Sequence, residues 1–257
     1  MKDRRDNRPA NRLDKLLVER GLVPSRERAQ ALILAGRVLV NEQKVEKPGA
    51  GVAADAAVRL LGDDLRYVGR GGLKLEAALA HWKIDLNARN CADVGASTGG
   101  FTDCMLQHGA AAVLAIDTGY GQIAHKLRTD PRVMLLERTN ARYLTAQQVT
   151  INVTFIAMDV SFISAALVLP AVVQAMAPSL AEAVVLVKPQ FEAGREHIGK
   201  GGIVRDPEAH ALAVERVRKA ALELGGEEVE VIDSPILGAE GNREFLLHAR
   251  FGSAANR

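Results

Sequence analysis

The stretch Asp93-Val94-Gly95-Ala96-Ser97-Thr98-Gly99-Gly100-Phe101-Thr102 constrains the fold more than any other part of the chain. Cys91-Ala92-Asp93-Val94 reads as a short buried strand. The glycines with Ser97 and Thr98 form a turn, and Phe101–Gln107 follows with helical spacing. Strand, glycine-rich turn and helix N-terminus together bring backbone N–H groups against a polar cofactor. An isolated turn of this kind is weak evidence. Here Asp93 precedes it, and Asp117 ends the apolar run Ala111–Ile116, 22 positions after Gly95. An acid at that distance is where a ribose-binding carboxylate is expected.

The glycine spacing argues against a dinucleotide. That fingerprint is G-x-G-x-x-G, and its second glycine lets a pyrophosphate approach the backbone. In this chain the pattern is G-x-x-x-G-G, and Ser97 takes the place of that glycine. A cofactor with a ribose but no pyrophosphate fits better, and S-adenosylmethionine is the common one. Asp93, Gly95, Ala96, Ser97, Gly99, Gly100 and Asp117 are the candidate donor-pocket residues. Asn140 joins them by its position after the third strand, and Asp159 by its position at the end of the fourth.

Downstream, strands alternate with helices. The pattern predicts strands near 90–94, 112–117, 133–137, 153–159 and 182–188, and helices near 73–82, 100–108, 120–128, 163–177 and 207–224. Asp206-Pro207 is a strong start for the last helix. Two late strands near 228–233 and 244–249 follow with no crossover helix between them, which predicts an antiparallel edge. Alternation of this kind means a mostly parallel sheet wrapped by helices. Ligands then bind at the carboxyl ends of the strands. Asp159 and Lys188 end two strands at that edge, and Glu244 begins the returning strand there. Burying a lysine beside two acids requires pairing, because an unpaired buried charge is costly.

Residues 1–66 have a different character. Residues 1–11 are polar and charged and are expected to be a disordered tail. Leu13, Leu16 and Leu17 recur at helical spacing, and Gly21 stops the helix. Ser25 can cap a second helix that ends at Gly36. Val38–Asn41, Lys44-Val45 and Val58–Leu61 read as short strands. The whole chain has net charge +2, yet residues 1–66 carry +4 and the remainder −2. A basic module on an acidic body suits a polyanion partner. Gly69, Gly71 and Gly72 break the periodicity, so residues 62–72 are expected to form a hinge. The second domain then spans 73–250, with 251–257 as a tail.

Arg12-Leu13-Asp14-x-x-Leu17, Ser25-Arg26-x-x-Ala29, Gly36-Arg37-Val38-x-Val40-Asn41, Lys44-Val45 and Lys47-Pro48-Gly49 make residues 12–61 resemble the S4 RNA-binding domain. Arg12, Arg26, Arg28, Arg37, Lys44 and Lys47, with Arg66 and Arg70 beyond them, are candidate phosphate contacts that position without reading sequence. No aromatic residue occurs in 1–66. Recognition by shape and backbone is therefore expected rather than base stacking.

Residues 66–250 resemble the catalytic domain of FtsJ-like RNA 2′-O-methyltransferases. The motifs are Arg70–Glu76, Asp93–Thr102, Asp117–Gln122, Glu137–Arg142, Asp159–Ser164, Lys188–Glu192 and Gly241–Phe245. Joined to the S4-like module, the chain resembles the TlyA family, also called hemolysin A. The resemblance implies an α/β, Rossmann-like class I methyltransferase with a mostly parallel seven-stranded sheet and a small α+β S4-like domain in front. It implies a Lys-Asp-Lys-Glu tetrad on Lys74, Asp159, Lys188 and Glu244. It also implies S-adenosylmethionine as cofactor, and as substrate a ribose 2′-hydroxyl, of a cytidine, in ribosomal RNA or ribosomal subunits.

Two cysteines, Cys91 and Cys104, form no metal-type cluster, so no metal is expected and reduced thiols fit a cytoplasmic protein. The most apolar region, Ile163–Ala177, is broken by Pro170 and Gln174, too short for a membrane span. No cationic amphipathic helix supports a lytic reading of the hemolysin name. An RNA-binding protein with an inactive methyltransferase fold is the remaining alternative, and the intact tetrad opposes it. The loop 194–202 is glycine-rich and basic, and its His197 is a weak catalytic candidate.

Overall fold

The computed structural model describes residues 11–23, 25–61, 66–177, 179–238 and 241–252. Residues 1–10 of the expected disordered tail, residues 62–65 of the expected hinge and residues 253–257 lie outside the described residues, while Asn11, the last residue of that expected tail, is in a strand. The chain divides into two compact units, Met1–Arg66 and Tyr67–Arg257.

The first unit runs β1 (Asn11–Arg12), α1 (Leu13–Glu19), α2 (Arg26–Leu34), β2 (Val38–Val40), β3 (Gln43–Lys44), β4 (Gly51–Val52) and β5 (Val58–Leu60). The Ser25 hydroxyl accepts from the Arg28 backbone N–H and caps α2. Gly36 ends that helix at φ +64°, where a side chain would be strained. Strands order β3-β2-β5, all antiparallel, while β1 pairs with β4, a ribbon not expected from the sequence. The core includes Leu13, Leu16, Leu17, Ala29, Leu32 and Ile33, the residues whose spacing predicted the two helices, together with Val38 and Val40 of β2.

The second unit continues with α3 (Gly71–Trp82), β6 (Asn90–Val94), α4 (Gly100–Gln107), β7 (Ala112–Ile116), α5 (His125–Arg128), β8 (Val133–Leu136), β9 (Phe155–Met158), α6 (Ala165–Met176), β10 (Glu182–Val187), α7 (Pro189–Glu192), α8 (Pro207–Glu223), β11 (Gly226–Asp233) and β12 (Phe245–Phe251). Seven strands form one sheet in the order β11-β12-β10-β9-β6-β7-β8. All neighbours are parallel except β12, which runs antiparallel to β10 and β11. Strand β9 is apolar throughout and β10 is apolar after Glu182, because helices cover both faces. One face packs on α6 and α8, the other on α3 and α4. Edge strand β11 carries Glu227, Glu228 and Glu230 and an irregular register, features that discourage pairing with another chain.

Three differences from the sequence reading have physical causes. Gly71 and Gly72 belong to α3, not to a hinge: a Cβ on Gly72 would lie 2.3 Å from the buried Tyr67 ring, and one on Gly100 would lie 3.1 Å from the Gly72 nitrogen. These glycines allow close packing against the cofactor turn. The helix expected over 120–128 shrinks to α5, because Gly121 sits at φ +70° and gives its N–H to Glu137. Finally, β12 runs through Phe251, so the expected tail starts later.

Candidate active site

The strand–turn–helix at 93–102 is held from within. Asp93 is fully buried and accepts from the Thr102 N–H at 2.8 Å and its hydroxyl at 2.6 Å. Burial pushes its carboxyl up to about 7, against the pull of the Thr102 hydrogen bonds and with added repulsion from Asp159 and Asp117. Asp93 therefore ties β6 to the start of α4. Gly95 sits at φ +90°, and a Cβ there would fall 2.3 Å from the Asp159 carbonyl oxygen, so no other residue fits.

A cavity of about 280 Å³ opens at the carboxyl edge beside this turn. Gly95, Ser97, Asp117, Asn140 and Asp159, all candidates from the sequence, line it. Asp93, Ala96, Gly99 and Gly100 do not; they shape the turn from behind. Gly99, at φ +96°, admits the Leu127 and Ile123 side chains. Asp117 accepts from the Ser97 N–H at 2.8 Å and from the Gly119 N–H at 2.7 Å, one bond on each oxygen. A carboxylate has about four acceptor positions, so two remain for a ribose diol. Those open acceptors, next to a glycine that no Cβ could replace, fit the adenosyl end of S-adenosylmethionine. Asn140 uses its Oδ1 to accept from the Arg142 N–H.

A second cavity of about 260 Å³ is lined by Ser161, Phe162, Lys188, Gln190, Phe191, Ile198, Gly202 and Glu244. Ser161 and Phe162 border both cavities. At this shared wall Lys188 Nζ lies 2.6 Å from Asp159 Oδ1 and donates to Ser161 Oγ at 2.7 Å. The contact with Asp159 is an ion pair without hydrogen-bond alignment. Lys74, from α3, meets Glu244 at 2.5 Å, and both side chains are nearly removed from solvent. The four residues thus form two ion pairs, Lys188–Asp159 and Lys74–Glu244. Lys188 and Glu244, one from each pair, face the second cavity.

Sequence reasoning missed Ser161 and Phe162. Phe162 is 91% exposed, adopts φ +64° and sits 5.6 Å from the Phe191 ring. A bulky residue in that backbone region is strained, and its ring is left in water beside a charged cluster. Both residues directly follow a strand end, so the carboxyl-edge rule could have found them. His197 lines neither cavity, and its Nε2 lies 3.8 Å from a Glu196 carboxylate oxygen. Among the described residues no His/Cys/Asp/Glu group could hold a metal, and no helix is long and apolar enough to cross a membrane.

In the first unit, Asp14 is fully buried and organises the basic surface. It accepts from Arg12 twice at 3.0 Å, from Arg26 at 2.8 Å and from Gln30 at 3.0 Å. The Arg12 hydrogen bonds lead these interactions, which overcome burial and hold its carboxyl well below the usual range. Both guanidinium groups remain about half exposed. Arg37 Nε donates to the Leu61 carbonyl, and Lys44 pairs with Glu46 at 3.0 Å. Arg28, Arg66 and Arg70 lie on the surface or near it.

Comparison with known proteins identifies the family of both units. Residues 67–251 match the FtsJ-like methyltransferase family and residues 11–58 match the S4 domain. The 16S/23S rRNA (cytidine-2′-O)-methyltransferase TlyA of Mycobacterium tuberculosis is 47% identical, over 93% of this chain and 89% of that protein. Hemolysin A of Brachyspira hyodysenteriae is 39% identical, over 92% and 98%. A solved Streptococcus thermophilus structure assigned to the hemolysins superposes with TM-score 0.72 at 43% identity, covering 95% of this chain and 89% of that one. An S-adenosylmethionine-dependent methyltransferase from Mesorhizobium loti shares the fold, with TM-score 0.51 at 18% identity, over 71% and 100%. The chain belongs to the FtsJ-like methyltransferase family, with the TlyA and hemolysin A proteins as relatives, and carries an S4 domain in front.

Proposed function

We propose that this protein transfers a methyl group from S-adenosylmethionine to the 2′-hydroxyl of a cytidine ribose in ribosomal RNA, in the cytoplasm. One observation carries the reading. The Lys188–Asp159 pair stands at the wall between a cavity with ribose-binding character and a second, aromatic-lined cavity. Relatives named as rRNA (cytidine-2′-O)-methyltransferases, at 47% identity over most of the chain, supply the substrate class.

S-adenosylmethionine supplies an electrophilic methyl group on a sulfonium. Gly95, Ser97, Asp117 and Asn140 would hold it. The acceptor hydroxyl is a poor nucleophile because its pKa lies far above neutral. Lys188 Nζ, fixed by Asp159 and Ser161, favours the negative charge that develops on the hydroxyl oxygen and eases loss of its proton. Lys74 and Glu244 hold the ribose and the lysine in register, and most of the acceleration comes from positioning. Phe162 and Phe191 offer ring faces to the base. Arg12, Arg26, Arg28, Arg37, Lys44, Lys47, Arg66 and Arg70 supply phosphate contacts.

Replacing Lys188 with alanine tests the reading. Transfer from tritiated S-adenosylmethionine to rRNA of a deletion strain should fall by about 10²-fold or more, the usual effect of a positioned proton-transfer group. Calorimetric titration should still detect cofactor binding. Wild-type-like turnover in Lys188→Ala would overturn it.

A further inference from the structure

Glu192 ends α7, four residues after Lys188, and the chemistry above does not use it. Only 2% of it is exposed, an unusual state for a carboxylate. Its two oxygens reach across to another loop: Oε2 accepts from Ser164 Oγ at 2.6 Å and Oε1 from the Ala165 N–H at 2.5 Å. Ser164 is the N-cap residue of α6, yet its side chain caps nothing. The free N–H at the start of α6 is met by Glu192 from outside instead. Burial raises the Glu192 carboxyl against the pull of the Ser164 and Ala165 bonds. Arg216 of α8 donates to the Glu192 carbonyl and fixes the other side of α7.

The two segments joined in this way carry the proposed chemistry. The segment entering α6 holds Asp159, Ser161 and Phe162; the segment entering α7 holds Lys188 and Phe191. They meet at three points: Lys188 with Asp159 and Ser161, Phe162 with Phe191, and Glu192 with Ser164 and Ala165. The first two face a cavity and are open to disturbance. The third is buried and lies beyond them.

We infer that Glu192 is a positioning residue for methyl transfer: it locks the Lys188 loop to the Asp159 loop, so that the ammonium and the carboxylate meet with the reacting geometry already set. The inference rests on the function proposed above. It separates Glu192 from an ordinary helix cap, because loosening the lock moves Lys188 without emptying the cofactor cavity.

The experiment compares Glu192→Ala, Glu192→Gln and Asp206→Ala in the full-length protein, with tritiated S-adenosylmethionine and rRNA. Asp206 caps α8 and provides a control for cap loss alone. In Glu192→Ala, kcat should drop at least about tenfold, with cofactor affinity by calorimetry and KM for RNA within about threefold; mispositioning of this kind costs rate. Glutamine can accept from Ala165 and donate to Ser164, so Glu192→Gln should return kcat to within about threefold of wild type. Asp206→Ala should lower the melting temperature and leave kcat alone. If Glu192→Ala does not fold, Ser164→Ala, which removes only the 2.6 Å bond, should lower kcat severalfold at unchanged cofactor affinity. Wild-type kcat in a folded Glu192→Ala or in Ser164→Ala would overturn the inference. So would equal kcat losses in Glu192→Ala and Asp206→Ala, or no rescue by glutamine. A wild-type protein that methylates no rRNA would instead overturn the function itself.

Discussion

Lys74 and Glu244 come from opposite ends of the second unit, 170 residues apart, and meet at 2.5 Å with almost no solvent contact. Such a pair is weak evidence of stabilisation, because desolvating two charges offsets their attraction. Breaking it from one side is another matter: Lys74→Met leaves Glu244 charged and alone, at a cost of about 3–5 kcal/mol. Replacing both, as Lys74→Met with Glu244→Leu, should restore most of the melting temperature and none of the methylation. A double variant that methylates at the wild-type rate would make the pair purely structural. Lys74 also marks where reading residues alone stops. Asp159, Lys188 and Glu244 are each found from a strand end, since the carboxyl edge of a parallel sheet gathers ligands. Lys74 lies within a helix, and nothing in its local pattern separates it from a solvated lysine; only the family resemblance reached it. Phe162 escaped for a different reason. A lone aromatic residue in sequence is ordinarily core, and its exposure comes from the backbone turn after β9, which spacing does not reveal.

At the level of elements, the edge opposite the active site is fastened by one polar cluster. Glu182 opens β10 and accepts from Arg89 at 2.8 Å, and it lies 2.8 Å from His248 of β12. Arg89 also donates to the Thr154 carbonyl at 2.7 Å, just before β9. Trp82, at the end of α3, stacks on His248 at 4.9 Å and donates to Glu230 of β11. Burial alone would raise the Glu182 carboxyl, but the His248 and Arg89 hydrogen bonds outweigh it and hold it at about 2. A carboxyl depressed on folding contributes stability above its unfolded pKa, and that contribution disappears as pH falls through the folded value. The wild-type melting temperature should therefore fall between about pH 4.5 and pH 2, where about 2–3 kcal/mol is lost. Glu182→Gln should be less stable at neutral pH and flatter across that window. Equal slopes in the two proteins would show that other carboxyls drive acid unfolding. Strands β9 and β10 were legible as short apolar runs between turn residues, and β11 by its alternation of charged and apolar residues. Less legible was the segment 119–124: helix-permitting residues surround Gly121, and the decisive interaction, its N–H to Glu137, is made 16 positions away.

Across the whole molecule, the two units have separate cores and opposite charge. The +4 balance of residues 1–66 was visible in composition, but composition did not show that Asp14 holds Arg12 and Arg26 in fixed, half-exposed positions. A guanidinium already oriented loses less freedom on meeting a phosphate. RNA affinity built on such contacts depends on counterion release, so it should weaken steeply with salt, and each phosphate contact removed should reduce the slope of log affinity against log salt by about one. Lys47, in the loop before β4, is the simplest probe, since its replacement disturbs none of the Asp14 bonds. Lys47→Ala should raise KM for rRNA at moderate salt, flatten the salt dependence by about one contact and leave kcat at saturating RNA unchanged. Filter binding at several salt concentrations, with methylation measured at saturation, would check it. A fall in kcat with unchanged affinity would place Lys47 in the chemistry of transfer and remove it from the docking of RNA.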